Sequence, residues 1–444
     1  MYRLYSLLFS LGFILAAPYY LWRRRRIKEH TGWRERFGEL PVSFRQDSPG
    51  AIWIHAVSVG ETLAVAGLAS ELQRRYPNRK IFLSHVTPAG REAGEKRLPN
   101  LAGRFYLPFD WVWTVRRVLQ DIRPSVLLIV ETELWPNLLR TSRAFGCRTI
   151  LVNARISDKS FPGYRLIRPF MRRVFENVSR ICAQTAADAE RFRQLGAPAE
   201  RVVVTGNLKF DGRAPELGEF WLKMVQMLQA RNRNPVFVAA STMPGEEALL
   251  LQAWDEIREK YSQALMILAP RHPVRFEQVA QLLQSGCRNF VRRTSLPLNC
   301  DGASLAATSA EILLLDTIGE LAGVFALADV VFVGGSLVPF GGHNVLEPAF
   351  WGKPAVFGPH MNNFRDVAKL FLESHAAIEV HNAHELAQSM LRLLGDPGQA
   401  REMGQKAKQL VEEQSGATLR VLDQVDDWLA APPVAASRLS EQQG

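Results

Sequence analysis

The feature that most constrains this chain is a repeated alternation of short apolar runs, rich in β-branched residues, with longer stretches of helical periodicity. The first series of runs is Ala51–Ala56, Lys80–Val86, Ser125–Val130, Arg148–Val152, Arg180–Ala183 and Arg201–Thr205. Helical patterns such as Glu61–Tyr76, Trp135–Phe145 and Ala187–Leu195 lie between them. Runs apolar on both faces and separated by helices require a parallel sheet covered on both sides, since an uncovered face would leave apolar surface in water. The regularity lapses around Asp211 to Pro235. A second series follows: Val236–Ala240, Ala264–Ala269, Glu311–Leu315, Val330–Val333, Pro354–Phe357 and Ala377–Val380. Two doubly wound α/β units of similar size are therefore expected, joined near residue 215. A crevice at the carboxyl ends of their strands would be the place for ligands. Beyond Ala383 the pattern is helical to about Ala430, and the tail Ala431–Gly444 is expected to be disordered.

A chain of 444 residues exceeds one compact core and fits two or three domains. Hydrophobic content of 47% with 22% charged residues excludes a disordered chain. The net charge of +10 favours anionic partners, but much of it clusters at Arg23–Arg26, Lys28, Arg34 and Arg36. Nucleic acid is not expected as a partner, because net charge alone speaks for it. Cys147, Cys182, Cys287 and Cys300 form no CxxC pair, which argues against a zinc or disulfide framework and fits a reducing compartment.

Leu4 to Trp22 is mostly apolar, broken by Ser6, Ser10, Gly12 and Pro18. As a helix it would be about 28 Å long, close to a bilayer core. Arg23–Arg26 follow it and only Arg3 precedes it, a bias that places the rest of the chain in the cytoplasm. A cleaved signal peptide ending at Ala16-Ala17 is the rival reading, opposed by the weak basic start and by the four arginines. An interfacial helix kinked at Pro18 is a third. The expected division is an anchor over 1–22, a first unit over 23–214, a second over 215–430 and the tail over 431–444.

The residues that can carry chemistry stand where strands end. Val330–Val333 runs into Gly334-Gly335-Ser336, and Gly341-Gly342-His343-Asn344-Val345-Leu346-Glu347 follows. Glycines let a backbone approach a ligand, and a helix beginning near Asn344 would offer amides to a phosphate. Glu347 would suit a ribose diol. Asn344 and Glu347 also make an ordinary helix start. Pro270-Arg271 ends another strand, where Arg271 suits a phosphate or carboxylate as well as a plain surface turn. Asp316-Thr317-Ile318-Gly319-Glu320 ends a third, with a helix cap equally open. In the first unit Glu131 and Glu133 share one strand end, as a metal pair or as caps. Lys209 stands near the expected crevice, as a cation for an anionic ligand or as a solvated linker lysine. Ser58-x-x-Glu61 is a capping box by spacing, and Glu61 is also a carboxylate placed to accept a proton.

Taken together these stretches resemble the 3-deoxy-D-manno-octulosonate (Kdo) transferases of lipopolysaccharide assembly, glycosyltransferase family 30. The residues that carry the resemblance are Ser58-Val-Gly-Glu61-Thr62, Glu131-Thr-Glu-Leu-Trp-Pro-Asn137, Val152-Asn-Ala-Arg155, Gly206-Asn-Leu-Lys-Phe210, Pro270-Arg271-His272-Pro273, Gly334-Gly-Ser336 and Gly341-Gly-His-Asn-x-Leu-Glu347. The resemblance implies a GT-B fold, with two Rossmann-like domains across a central cleft and an N-terminal membrane-anchoring helix. It implies inverting transfer of Kdo from CMP-Kdo to the tetra-acylated lipid A precursor at the cytoplasmic leaflet of the inner membrane. It makes Glu61 the base, and Glu131 and Lys209 the transition-state stabilisers. CMP contacts would fall to Pro270, Arg271, Ile318, Gly319, Glu320, Asn344, Val345, Leu346 and Glu347. The loop around Phe340 departs from the family's pattern.

No metal or other cofactor is expected. The departing CMP is a phosphate monoester without the diphosphate that usually recruits a divalent cation, and amides and cationic side chains suit it. The Kdo carboxylate needs a cation, for which Arg155, Lys209 and Arg271 are equal candidates. A GT-B transferase using a nucleotide diphosphate sugar is the nearest alternative. A membrane-tethered nucleotide-binding protein without catalysis is the alternative of another class.

Overall fold

Every apolar run above forms a strand in the computed structural model of the chain, which describes residues 1–26, 32–230, 235–296 and 310–429, with side chains for all of these except 19–26 and 227–230. Expectations stated for Lys28, Cys300 and the tail 431–444 lie outside the described residues, as do those for the side chains of Arg23–Arg26.

The first sheet contains β1 (Ala51–His55), β2 (Ile81–His85), β3 (Gly103–Tyr106), β4 (Pro124–Val130), β5 (Arg148–Ala154), β6 (Arg180–Ala183) and β7 (Val202–Val204). Its order is β3-β2-β1-β4-β5-β6-β7, with every pairing parallel. All of β1 and β2 is buried, as helices on both faces require. The chain winds outward from β1 to β3, returns to the far side of β1, and winds outward again from β4. Strand order therefore reverses between β1 and β4, the position where open α/β sheets bind ligands.

The second sheet contains β8 (Val236–Thr242), β9 (Leu265–Pro270), β10 (Phe290–Arg292), β11 (Ile312–Leu314), β12 (Val330–Val333), β13 (Ala355–Phe357) and β14 (Ala377–Glu379). Its order is β10-β11-β9-β8-β12-β13-β14, again parallel throughout, with the reversal between β8 and β12. The edge strands β3 and β10 were not anticipated. Each is short, and no residue of β10 is fully buried, so neither produces an apolar run.

One boundary differs from expectation. The first unit is Met1–Asp211 together with the chain from Ser415 onward, and the second is Gly212–Gln414. The helix Ala417–Leu429 belongs with the first sheet, because Val421, Leu422, Val425 and Leu429 are buried in one cluster with Ile52, Val65 and Val126. Burial of each such side chain is worth at most roughly 1.5–3 kcal/mol. Asp211 accepts hydrogen bonds from the amides of Gly416, Ala417 and Thr418, and so caps that helix. Its other end is tied by Arg75 and Tyr76 to Asp426.

The N-terminal helix Tyr2–Arg26 also departs from expectation. Among the described residues no helix is long and apolar enough to cross a membrane. One face of Tyr2–Arg26 is taken up by the first unit. Tyr5 donates to Asp110 at 2.9 Å, Trp111 to Ser10 at 2.9 Å and Asn137 to Ser6 at 3.0 Å. Phe9 and Phe13 pack edge-on against Trp111. Ser6 and Ser10, which interrupted the apolar stretch, are thus packing residues. The remaining face exposes Leu4, Leu7, Leu8, Leu11, Ile14 and Leu15.

Candidate functional site

In the first unit the loops after β1 and β4 meet at the strand-order reversal. β1 ends at His55, and the helix Val59–Arg75 starts with Ser58 as its N-cap. The cap reading of Glu61 is real: Ser58 Oγ donates to Glu61 Oε1 at 3.0 Å, and the Val57 amide donates to Oε2 at 2.8 Å. The same carboxyl titrates well above the usual carboxylate range. Burial pushes its pKa up to about 7, Glu131 and Glu133 push the same way, and the Val57 amide and Ser58 oppose them. The side chain that closes the helix start therefore also carries a raised pKa.

Glu131 follows β4 in a left-handed conformation, φ 59°, which costs an L residue of this kind about 1–3 kcal/mol and is held by its surroundings. Two cations converge on it. Arg155 Nε lies 3.2 Å from Oε2, and Lys209 Nζ lies 3.7 Å from Oε1. Arg155 comes from the end of β5 and Lys209 from the turn Leu208–Asp211 after β7, so a parallel sheet brings distant sequence to one edge. Asn153 shapes that turn: it is fully buried, at φ 55°, and its Oδ1 accepts from the Leu208 amide at 3.0 Å. Trp135 Nε1 donates to Glu133 at 3.1 Å, and burial raises the Glu133 pKa, with Glu131 adding to the effect. Among the described residues, no group of three or more His, Cys, Asp or Glu is arranged to hold a metal ion.

In the second unit the loops after β8, β9, β11 and β12 share the carboxyl edge of the sheet. Arg271 is exposed just after β9, its amide bonded to the Thr242 carbonyl. His343 is kept neutral by burial, with Arg271 and His272 adding to the effect, and its pKa falls to about 4. Ile318 is exposed, and Gly319 has φ 91° with open space where a side chain would stand. The Glu320 carboxylate is held by Arg293, at 2.9 and 3.1 Å, and by Thr317. A ligand meeting Ile318–Glu320 would therefore find backbone and Ile318 rather than a free carboxylate.

Two expectations about the glycine loops are corrected. The helix after the second pair begins at Leu346, not near Asn344, and has five residues. Asn344 lies in the turn before it, accepting from the Leu346 amide at 3.1 Å and donating to Glu347 at 3.2 Å. The side chains of Val345 and Leu346 are fully buried, so only their backbone is open to a ligand. The turn after β12 is also occupied, because Glu246 accepts hydrogen bonds from the amides of Gly335, Ser336 and Leu337. Glu246 and Arg293 were missed in the sequence. Their one signal was charge beside buried runs: Glu246-Glu247 opens an apolar helix directly after β8.

Comparison with known proteins shows what the chain is similar to. A family model described as 3-deoxy-D-manno-octulosonic-acid transferase (kdotransferase) matches residues 31–212. The 3-deoxy-D-manno-octulosonic acid transferase of Haemophilus influenzae is 32% identical over 384 residues, covering 86% of this chain and 88% of the relative. That of Bordetella pertussis is 34% identical over 428 residues, covering 94% and 97%. A solved glycosyltransferase from Rickettsia africae superposes with a TM-score of 0.54 at 12% identity, over 86% of this chain and 98% of that one, a likeness of fold alone.

Proposed function

The chain belongs to the 3-deoxy-D-manno-octulosonic acid transferase family, and on that premise we propose that it moves Kdo from CMP-Kdo to a lipid A precursor with inversion, Glu61 serving as the base. The observation that carries the reading is a carboxyl at the β1/β4 reversal with its pKa near 7. A sugar hydroxyl attacks well only as its proton leaves, and a base works best with a pKa close to the working pH. The acceptor oxygen bonds to the anomeric carbon of Kdo, the bond to phosphate breaks, and CMP departs with the electron pair. Glu61 receives the hydroxyl proton. Arg155 and Lys209, held on Glu131, supply positive charge beside this proton transfer. CMP is received by Arg271 and the loops 318–320 and 344–347. The reaction needs no metal, so turnover persists in EDTA.

The lipid acceptor and the N-terminal helix belong to one account. Leu4, Leu7, Leu8, Leu11, Ile14 and Leu15 recur at helical spacing on an exposed face. Exposed Leu166 and Ile167 lie on the same unit among exposed Arg165, Arg168, Arg172 and Arg173. Apolar side chains ringed by arginines suit an anionic leaflet, where each basic residue adds about 1 kcal/mol. The helix lies in the plane of the cytoplasmic leaflet of the inner membrane.

The test is incubation with CMP-Kdo and the tetra-acylated precursor, following CMP release and the mass of the lipid. A Kdo-bearing lipid supports the reading, and its absence defeats it. Inhibition by CMP but not UDP separates this enzyme from one that uses a nucleotide diphosphate sugar.

A further inference from the structure

The turn Gly334–Leu337 is built to bind an anion, and the chain fills it with one of its own. Successive backbone N–H groups converging on one point form an anion nest. Here they are the amides of Gly335, Ser336 and Leu337, at 2.6, 2.9 and 3.0 Å from the carboxylate of Glu246. The Met243 amide adds a fourth hydrogen bond at 2.9 Å. Glu246 is fully buried.

The turn is locked from its other sides as well. A Cβ on Gly334 would lie 2.5 Å from the Ser241 carbonyl oxygen, and one on Gly358 would lie 2.3 Å from that of Ser336. Ser336 Oγ accepts from the Gly358 amide at 2.8 Å. The turn in turn carries the second glycine loop: the Gly342 amide donates to the Gly335 carbonyl at 2.7 Å, and His343 packs against Gly335. Glu246 thus reaches Gly342 and His343 through a single turn of backbone.

We propose that Glu246 is a positioning and specificity residue for the donor: by filling the nest from inside, it fixes the loop Gly341–Glu347 and leaves room for one phosphate where a nucleotide diphosphate would need two. This rests on the reading of the second unit as the CMP-Kdo site. A second substrate phosphate would have to displace a buried carboxylate held by four amides, or sit beside it as a like charge.

The test is calorimetric titration of the full chain with CMP and CDP, beside donor kinetics. The wild type binds CMP at least about tenfold tighter than CDP. Glu246→Gln places an amide N–H₂ where an acceptor is needed, so it weakens CMP binding and raises KM for CMP-Kdo by about tenfold, with kcat nearly unchanged. Gly335→Ala disturbs the turn at φ 69° without removing the buried charge, and it raises the same KM. Trp254→Leu, in the core of the second unit, lowers Tm at least as far as Glu246→Gln while leaving the CMP Kd unchanged. Equal binding of CMP and CDP by the wild type overturns the proposal. So does a folded Glu246→Gln with an unaltered Kd, or a Trp254→Leu that weakens CMP as much. A wild type that binds neither nucleotide instead defeats the donor reading on which the proposal stands.

Discussion

Glu61 combines helix-start hydrogen bonds with a raised pKa in one carboxyl. Its hydrogen bonds to Ser58 and Val57 close the helix start, and its burial raises the pKa to about 7. The account predicts that log kcat/KM rises with pH and levels off above about 7, because only the ionised form accepts a proton. The neighbouring carboxylates set where that limb falls. Glu133→Gln removes a like charge and moves the limb to lower pH, whereas Lys209→Ala leaves Glu131 less compensated and moves it higher. The two shifts are read from kcat/KM profiles, and shifts of the same sign for both variants contradict the arrangement. Spacing alone made Ser58-x-x-Glu61 a cap, and that was correct. It did not reveal the partial burial, because burial is a tertiary property.

At the scale of elements, two segments work differently from what their composition suggests. The helix Ala417–Leu429 follows the second series of strands in sequence yet completes the core of the first unit. Its amphipathic pattern was legible, but its destination was not, because periodicity shows that a face is buried and not against what. Asp211→Ala removes the acceptor for three amides at its start and costs about 1 kcal/mol, a fall of roughly 2–4 °C in Tm by calorimetry. An unchanged Tm would mean that the helix holds without its cap. The N-terminal helix looked like a span because apolar length was read without asking which side chains the body would take. Replacing Leu7, Leu11 and Ile14 together by Glu is expected to abolish flotation with vesicles containing anionic lipid, while activity on a soluble, deacylated acceptor remains. Flotation that survives the triple change would place the membrane contact elsewhere.

At the scale of the whole molecule, the alternation of runs and helices made two parallel sheets legible. The strand-order reversals that position both candidate sites were not legible, because pairing order is a tertiary property. The buried histidines were equally silent. Burial lowers His55 to about 3 and His85 and His343 to about 4, below the 6.5 of the unfolded chain. In this window the unfolded state binds more protons, so these residues remove stability as pH falls from about 6.5 toward 4. Glu61 and Asp110 are raised, to about 7 and about 6, and act in the opposite sense. Three histidine shifts outweigh two carboxyl shifts of similar size, and Tm is expected to fall as the solution is acidified from pH 6.5 to 4.5. A Tm that rises over this range would reverse the ordering. The central claim is that a family fold delivers a near-neutral carboxylate to the acceptor hydroxyl. Its most direct test is single-turnover transfer from CMP-Kdo to the tetra-acylated lipid A precursor by Glu61→Ala beside the wild type, with CMP binding measured on both. The account predicts that the variant stays folded, binds CMP as the wild type does and forms no Kdo-bearing lipid. A variant that transfers Kdo at the wild-type rate and merely melts earlier would contradict it.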